Sequence, residues 1–230
     1  MTIIYLIRHG ETAWNAEGRF QGQRNISLNA TGHAQAAATS AALSHLPFTA
    51  IYTSDLARSA ETAACLATPH GLSPIPDIRL REACFGAWEG LTLTEIGARW
   101  PLLLATWQAN AHTTRPPGGE TLAEVQQRVA AALGDCVARH PDATIALIGH
   151  GGTVRAVVAT VLGADLSIFR RLRLDNCSIS IVQMSPERSV LRQLNDLCHL
   201  SHQIPQATWD EASEHELCEI PNHAAIISEI

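Results

Sequence analysis

Five largely apolar residues, Ile3-Ile4-Tyr5-Leu6-Ile7, run directly into Arg8-His9-Gly10-Glu11-Thr12. A short apolar run closed by turn chemistry reads as a buried strand. Its end delivers a cation and an imidazole to the rim of a sheet, where ligands of open α/β folds bind. Gly10 removes a side chain at the point where a ligand would approach the backbone.

The rest of the chain follows the same plan. β-rich runs at about residues 2–7, 50–53, 144–148 and 178–183 alternate with helical stretches at about 30–44, 57–67, 121–139 and 151–162. That alternation predicts a three-layer α/β sandwich, with a mostly parallel central sheet and helices on both faces. Ser178–Gln183, the turn Pro186-Glu187 and Ser189–Leu194 predict a late antiparallel hairpin. Residues 91–117, with Trp100, Trp107 and three prolines, read as a short helical insertion covering the rim. Residues 1–203 are expected to form one domain, and 204–230 an acidic tail or lid.

Four further strings follow in order. They are Ser54-Asp55-Leu56-Ala57-Arg58-Ser59-Ala60-Glu61-Thr62, Leu80-Arg81-Glu82 leading to Gly86-Ala87-Trp88-Glu89-Gly90, Pro117-Gly118-Gly119-Glu120-Thr121, and Gly149-His150-Gly151-Gly152. With the opening string, and over about residues 1–200, they resemble the histidine phosphatase superfamily, which includes cofactor-dependent phosphoglycerate mutases and many small-molecule phosphatases.

The chemistry of these residue types agrees with the resemblance. A phosphate monoester is a dianion at neutral pH, so attack on its phosphorus requires its oxygens to be neutralised. Arginine suits that task through its planar, permanently charged fork. The resemblance makes Arg8 and Arg58 the phosphoryl clamp, joined by His150, and His9 the nucleophile that becomes phosphohistidine. The Gly10 carbonyl could hold the far nitrogen of His9, leaving the attacking nitrogen unprotonated. His150, among Gly149, Gly151 and Gly152 at a helix start, is expected to donate to phosphoryl oxygens. Glu82 matches the general acid, with Glu89 as the rival carboxylate. Asn15, Gln21 and Gly22 match secondary substrate contacts, and Gly151, at the helix start, is expected to bind phosphate through its N–H.

Each assignment has a plainer competitor. Arg58 could pair with Glu61 on a helix surface, His9 could be a hydrogen-bonded histidine at a strand end, and the loop around His150 could merely cap a helix. Asn15 and Gln21 could be turn formers, and Glu120-Thr121 could simply start a helix with an acidic residue against its dipole. Asn195–Leu200 reads as structural. Cys198, His199 and His202 imitate a metal site without completing a coordination set.

The phosphoryl-transfer reading needs no metal or other cofactor and takes a small phosphomonoester as its partner. Between hydrolysis and mutase transfer, the resemblance favours hydrolysis. The family's mutases carry a longer insertion before the Gly-Gly-Glu string, whereas here 35 residues separate Glu82 from Gly118. A catalytically silent phosphate-ligand binder is the remaining alternative. Phe85, Trp88 and Trp107 predict apolar walls around the substrate.

Charge narrows the partners. The net charge is −6, but Arg192 is the last basic residue and seven acidic residues follow it. The preceding chain is nearly balanced, which argues against nucleic-acid binding. No apolar segment approaches a membrane span. Six cysteines without a CxxC pair and the absence of an apolar leader suggest a reducing cytoplasm. The late hairpin leaves an edge strand through which a homodimer could form.

Overall fold

The computed structural model describes residues 1–185 and 187–200. Its six strands are β1 (Thr2–Arg8), β2 (Phe48–Thr53), β3 (Ile75–Pro76), β4 (Thr144–Gly149), β5 (Ile179–Met184) and β6 (Ser189–Asp196), in the sheet order β3-β2-β4-β1-β5-β6. The first four pair in parallel, whereas β5 pairs antiparallel with both β1 and β6. The expected mostly parallel sheet with a late hairpin is therefore present. The sequence reading lacked β3, a two-residue edge strand whose Pro76 gives no pattern.

The helices are α1 (Ala13–Ala16), α2 (Ala30–Leu43), α3 (Ala57–Ala67), α4 (Leu93–Arg99), α5 (Pro101–Asn110), α6 (Leu122–Arg139) and α7 (Gly151–Leu162). Capping boxes, Thr92 with Glu95 and Thr121 with Glu124, start α4 and α6. Buried Val125, Val129, Ala132, Leu133 and Cys136 give α6 one apolar face.

Strand alternation divides the core between two faces. Ile4, Leu6, Ile145 and Leu147 point toward α6 and α7, while Ile7, Ile51, Ala146 and Ile148 pack with Leu43, Ala63 and Leu66 of α2 and α3. Central β4 is buried from Ile145 to Gly149, as required of a strand covered on both sides. Helices α4 and α5 lie within residues 91–117, where a short helical insertion was expected, and join Trp88 and Phe85 in an apolar cluster. Residues 204–230 and His202 lie outside the described residues. Among the described residues, no helix is long and apolar enough to cross a membrane.

Candidate active site

The parallel register of β1 and β4 aligns Arg8 with Gly149, and the His9 amide donates to the Gly149 carbonyl at 2.9 Å. The residues after the two strands, His9 and His150, thus emerge side by side, with ring centroids 5.1 Å apart. Strand β2 ends beside them. The Ser54 amide and Ser59 hydroxyl both bond the Ile148 carbonyl, which places the first turn of α3 and Arg58 against His9.

His9 is buried, and its Nδ1 lies 2.7 Å from the Gly10 carbonyl oxygen. A carbonyl only accepts, so Nδ1 carries the proton and Nε2 carries a lone pair. Arg58 Nε donates to that Nε2 at 3.2 Å. Burial, then Arg58 and Arg8, push the His9 pKa well below 6.5, so the ring stays neutral.

Arg58 has no solvent exposure, and its Nη1 and Nη2 donate to the carbonyls of Arg24 and Gly22, each at 2.8 Å. Burial brings its pKa down to about 10, with Arg8 adding to the shift and Glu82 opposing it. The alternative surface pair with Glu61 does not form, because Glu61 instead accepts the Leu28 amide. Arg8 is anchored through Nη1 to the Leu174 carbonyl at 2.6 Å, while its buried Nε has no partner among the described residues.

His150 has no exposure, and neither of its ring nitrogens has a partner among the described residues. Burial, followed by Arg58, His9 and Arg8, lowers its pKa well below 6.5. An unpartnered buried donor costs about 1–3 kcal/mol, so the Arg8 Nε–H and the single N–H of neutral His150, beside the His9 ring, mark a place built to receive oxygens.

Glu82 faces this group. Its Oε1 accepts from the Ala83 amide at 2.8 Å and its Oε2 from the Gly152 amide at 3.1 Å, so the start of α7 orients the carboxyl group. The rival Glu89 is tied elsewhere, accepting from the Gln23 and Phe85 amides and pairing with Arg24 at 3.3 Å. It clamps two loops together.

The sequence profile of the histidine phosphatase superfamily (branch 1) matches residues 4–197. The chain belongs to that superfamily. It is 34% identical over 200 residues to phosphoserine phosphatase 1 of Hydrogenobacter thermophilus, covering 87% of this chain and 95% of that protein. It is 40% identical over 210 residues to "Probable phosphoglycerate mutase GpmB" of Enterobacter sp. (strain 638), again covering 87% and 95%. Among solved structures, Bacillus stearothermophilus YhfR superposes with a TM-score of 0.82 at 30% identity, over 87% of this chain and all of that one.

The remaining anticipated residues of this histidine phosphatase occupy the rim in different ways. Asn15 closes the capping box of α1, its Oδ1 accepting from the Thr12 amide and from Asn176 Nδ2. Gln21 is buried, and its Oε1 has no partner among the described residues. Gly22 has φ +53°, and a Cβ there would come within 2.1 Å of Glu89 Oε1, so its glycine identity serves the loop that anchors Arg58. A Cβ on Gly151 would lie 3.0 Å from Arg155 Nη1, 3.8 Å from Arg8 Nε and 3.9 Å from Glu82 Oε2, which places this residue at the centre of the constellation.

Sequence reading missed several supporting residues. Thr121 caps α6, as the reading of Glu120-Thr121 as a helix start expected, but Glu120 does more than start it. Glu120 pairs with Arg128 at 2.9 Å and accepts the Cys84 amide. Arg128 also donates to the carbonyls of Arg79, Arg81 and Glu82, holding the Glu82 backbone in place. The i, i+8 spacing of Glu120 and Arg128 puts both near one helix face, a signal available in the sequence. Asn176 donates to the His9 carbonyl at 2.9 Å. His199 bonds Thr39 at 3.0 Å and Asn195 bonds Asp175, consistent with the structural reading of 195–200. Among the described residues no cluster could hold a metal ion.

Glu82 also lines a cavity of about 290 Å³, walled by Phe20, Phe85, Leu93, Trp107, Ala111 and Phe169 and bordered by Arg155. Helices α4 and α5 thus contribute Leu93 and Trp107 beside the constellation, and the apolar wall lies on the Glu82 side.

Proposed function

We propose that the chain is a phosphomonoester hydrolase acting on small phosphorylated metabolites through a phosphohistidine on His9. The observation that carries this reading is the His9 ring, with its Nδ1 proton held by the Gly10 carbonyl and its Nε2 lone pair facing Arg58. Phosphoryl oxygens take the Arg58 Nε–H and the unpartnered N–H of Arg8, which frees Nε2 to attack phosphorus. The P–O bond to the leaving group breaks as P–N forms, and protonated Glu82 supplies the proton the departing oxygen needs. Neutral His150 donates one hydrogen bond to the transferring group, in a site whose buried dipoles need little reorganisation. Glu82, now a carboxylate, takes a proton from the water that cleaves the P–N bond and releases phosphate.

The positive charge this reaction requires comes from Arg8 and Arg58, so activity is expected to survive excess chelator. Hydrolase activity agrees with the relative named phosphoserine phosphatase and with a mycobacterial glucosyl-3-phosphoglycerate phosphatase of 30% identity and TM-score 0.78. The relative named as a mutase supports a second reading, transfer between positions of one phosphoglycerate.

Phosphate release from a panel of monoesters separates the two, with 3-phosphoglycerate run with and without 2,3-bisphosphoglycerate. Phosphate without isomer supports the hydrolase, and bisphosphate-dependent isomer formation transfers the assignment to mutase. His9→Ala should abolish release while phosphate binding persists, and undiminished turnover would remove phosphohistidine from the mechanism.

A further inference from the structure

Arg155 lies on α7, one turn after Gly151, and has no role in the chemistry above. It is half-buried, and its only hydrogen bond within the described chain runs from Nε to the Leu172 carbonyl at 2.9 Å. No carboxylate lies within ion-pair distance of it among the described residues. Its Nη1 borders the position that a Gly151 side chain would occupy, next to Arg8 Nε and Glu82 Oε2. Outward from there, the cavity surface is aromatic and aliphatic, with Phe85, Trp107 and Phe169 prominent.

A half-buried guanidinium beside a second guanidinium and against apolar walls is stabilised when an anion completes it. The phosphoryl group already has Arg8, Arg58 and His150. The other cation of the wall, Arg170, is engaged with the Gln108 carbonyl. Glu82 and Asp175 offset the Arg155 charge only in part and from beyond ion-pair distance, so Arg155 offers residual positive charge in a planar fork that matches a carboxylate. A monoanion balances that charge, whereas a second phosphate dianion would carry surplus charge into an apolar cavity.

Resting on the hydrolase reading, we propose that Arg155 is a specificity residue that binds a carboxylate on the leaving group of the substrate. The substrate class is then a phosphomonoester whose leaving group has an apolar body about one ring in size, with an acid group placed to reach α7. The ester oxygen sits at Glu82, the body fills the cavity beside Phe85 and Trp107, and the carboxylate meets the Nη atoms of Arg155.

The test compares phenyl phosphate, 4-carboxyphenyl phosphate and 1,4-phenylene bisphosphate with wild type, Arg155→Met and Arg155→Lys. The readout is the ratio of kcat/KM between esters within one preparation, which does not depend on how much of a variant folds. Losing a charged hydrogen-bonded partner corresponds to about 10- to 100-fold. Arg155→Met should lower the carboxyphenyl-to-phenyl ratio by that factor, mainly through KM, and Arg155→Lys should restore part of it. An unchanged ratio overturns the proposal, as does a drop seen only for the bisphosphate. Wild type inactive on all three esters would instead sink the hydrolase reading. Arg155 would then be judged by binding of 4-hydroxybenzoate, followed by tryptophan fluorescence. Weakening of about tenfold in Arg155→Met supports the carboxylate site, and equal binding overturns it.

Discussion

Lowering the pH from 7.5 to 5.5 should destabilise this fold through two histidines. His9 and His150 are 3% and 0% exposed, and burial followed by nearby guanidiniums holds both well below their ordinary value of 6.5. In the unfolded chain both rings bind protons as the pH passes below 6.5; in the folded chain they do not. The unfolded state then carries more protons, so stability rises with pH across this window and is lost as the pH falls. For a ring that stays neutral when folded, the two-unit drop costs about 1.4 kcal/mol, or about 2.7 kcal/mol for the pair. Carboxylates contribute little here because their unfolded values lie near 4. Half-buried His199, also lowered by burial, adds in the same direction.

Urea unfolding at the two pH values measures the loss. With an m-value of about 3 kcal/mol per molar, the midpoint should fall by about 1 M. The double variant His9→Gln/His150→Gln should lose most of that shift, whatever its stability at pH 7.5. An unchanged wild-type midpoint, or a double variant that retains the full shift, would refute the claim that His9 and His150 are stored neutral. The same lowering means that His9 should not produce an acid limb near pH 6.5 in kcat/KM.

Other expectations follow from the network behind the carboxyl group. Arg128→Met strands Glu120 and releases three carbonyls, so it should cost about 2–4 kcal/mol in urea unfolding, with Glu120→Gln/Arg128→Met recovering part of the loss. A Cβ at Gly152 would stand 2.1 Å from Glu82 Oε1, so Gly152→Ala should cut kcat by about 100-fold or more, as expected of displaced catalytic groups. Gly134→Ala, in α6 with nothing within 4 Å of the new methyl, should stabilise by about 0.4–1 kcal/mol. Glu82→Gln should abolish turnover of esters with poor leaving groups, whereas Glu89→Gln should mainly lower the melting temperature; the opposite pattern would exchange their roles.

Much of the site was legible because its parts lie at strand ends and helix starts, where short strings carry geometry. Arg8 and His9 close β1, His150 follows β4 and Arg58 opens α3, so finding the strands nearly finds the rim. The preference for Glu82 over Glu89 depended on resemblance alone, since both are glutamates near glycines. Only the folded chain shows Glu89 occupied by loop amides and Arg24. Arg128 and Arg155 escaped because each sits inside a regular helix, where an arginine ordinarily faces water. Their roles come from what the neighbouring elements turn toward them, Glu120 with the residue 79–82 carbonyls in one case and the cavity in the other.

The partners of the arginines separate the two kinds of role. Every basic side chain in this protein is arginine, with no lysine, so residue type alone cannot distinguish a ligand-binding cation from a structural one. Scaffold arginines are neutralised by acids, with Arg79 on Asp77 and Asp135, Arg81 on Asp55, and Arg128 on Glu120. Around His9 the anchors are carbonyls: Leu174 for Arg8, Gly22 and Arg24 for Arg58, and Leu172 for Arg155. A carbonyl fixes one edge of a guanidinium without cancelling its charge. The remaining charge, offset only in part by Glu82 and Asp175, acts on whatever the cavity admits, and it is strengthened because water is largely excluded. Holding like charges close together destabilises the ligand-free fold, and an anion relieves that repulsion on binding. Phosphate should therefore raise the unfolding midpoint, and much less so once Arg58 is replaced by Gln.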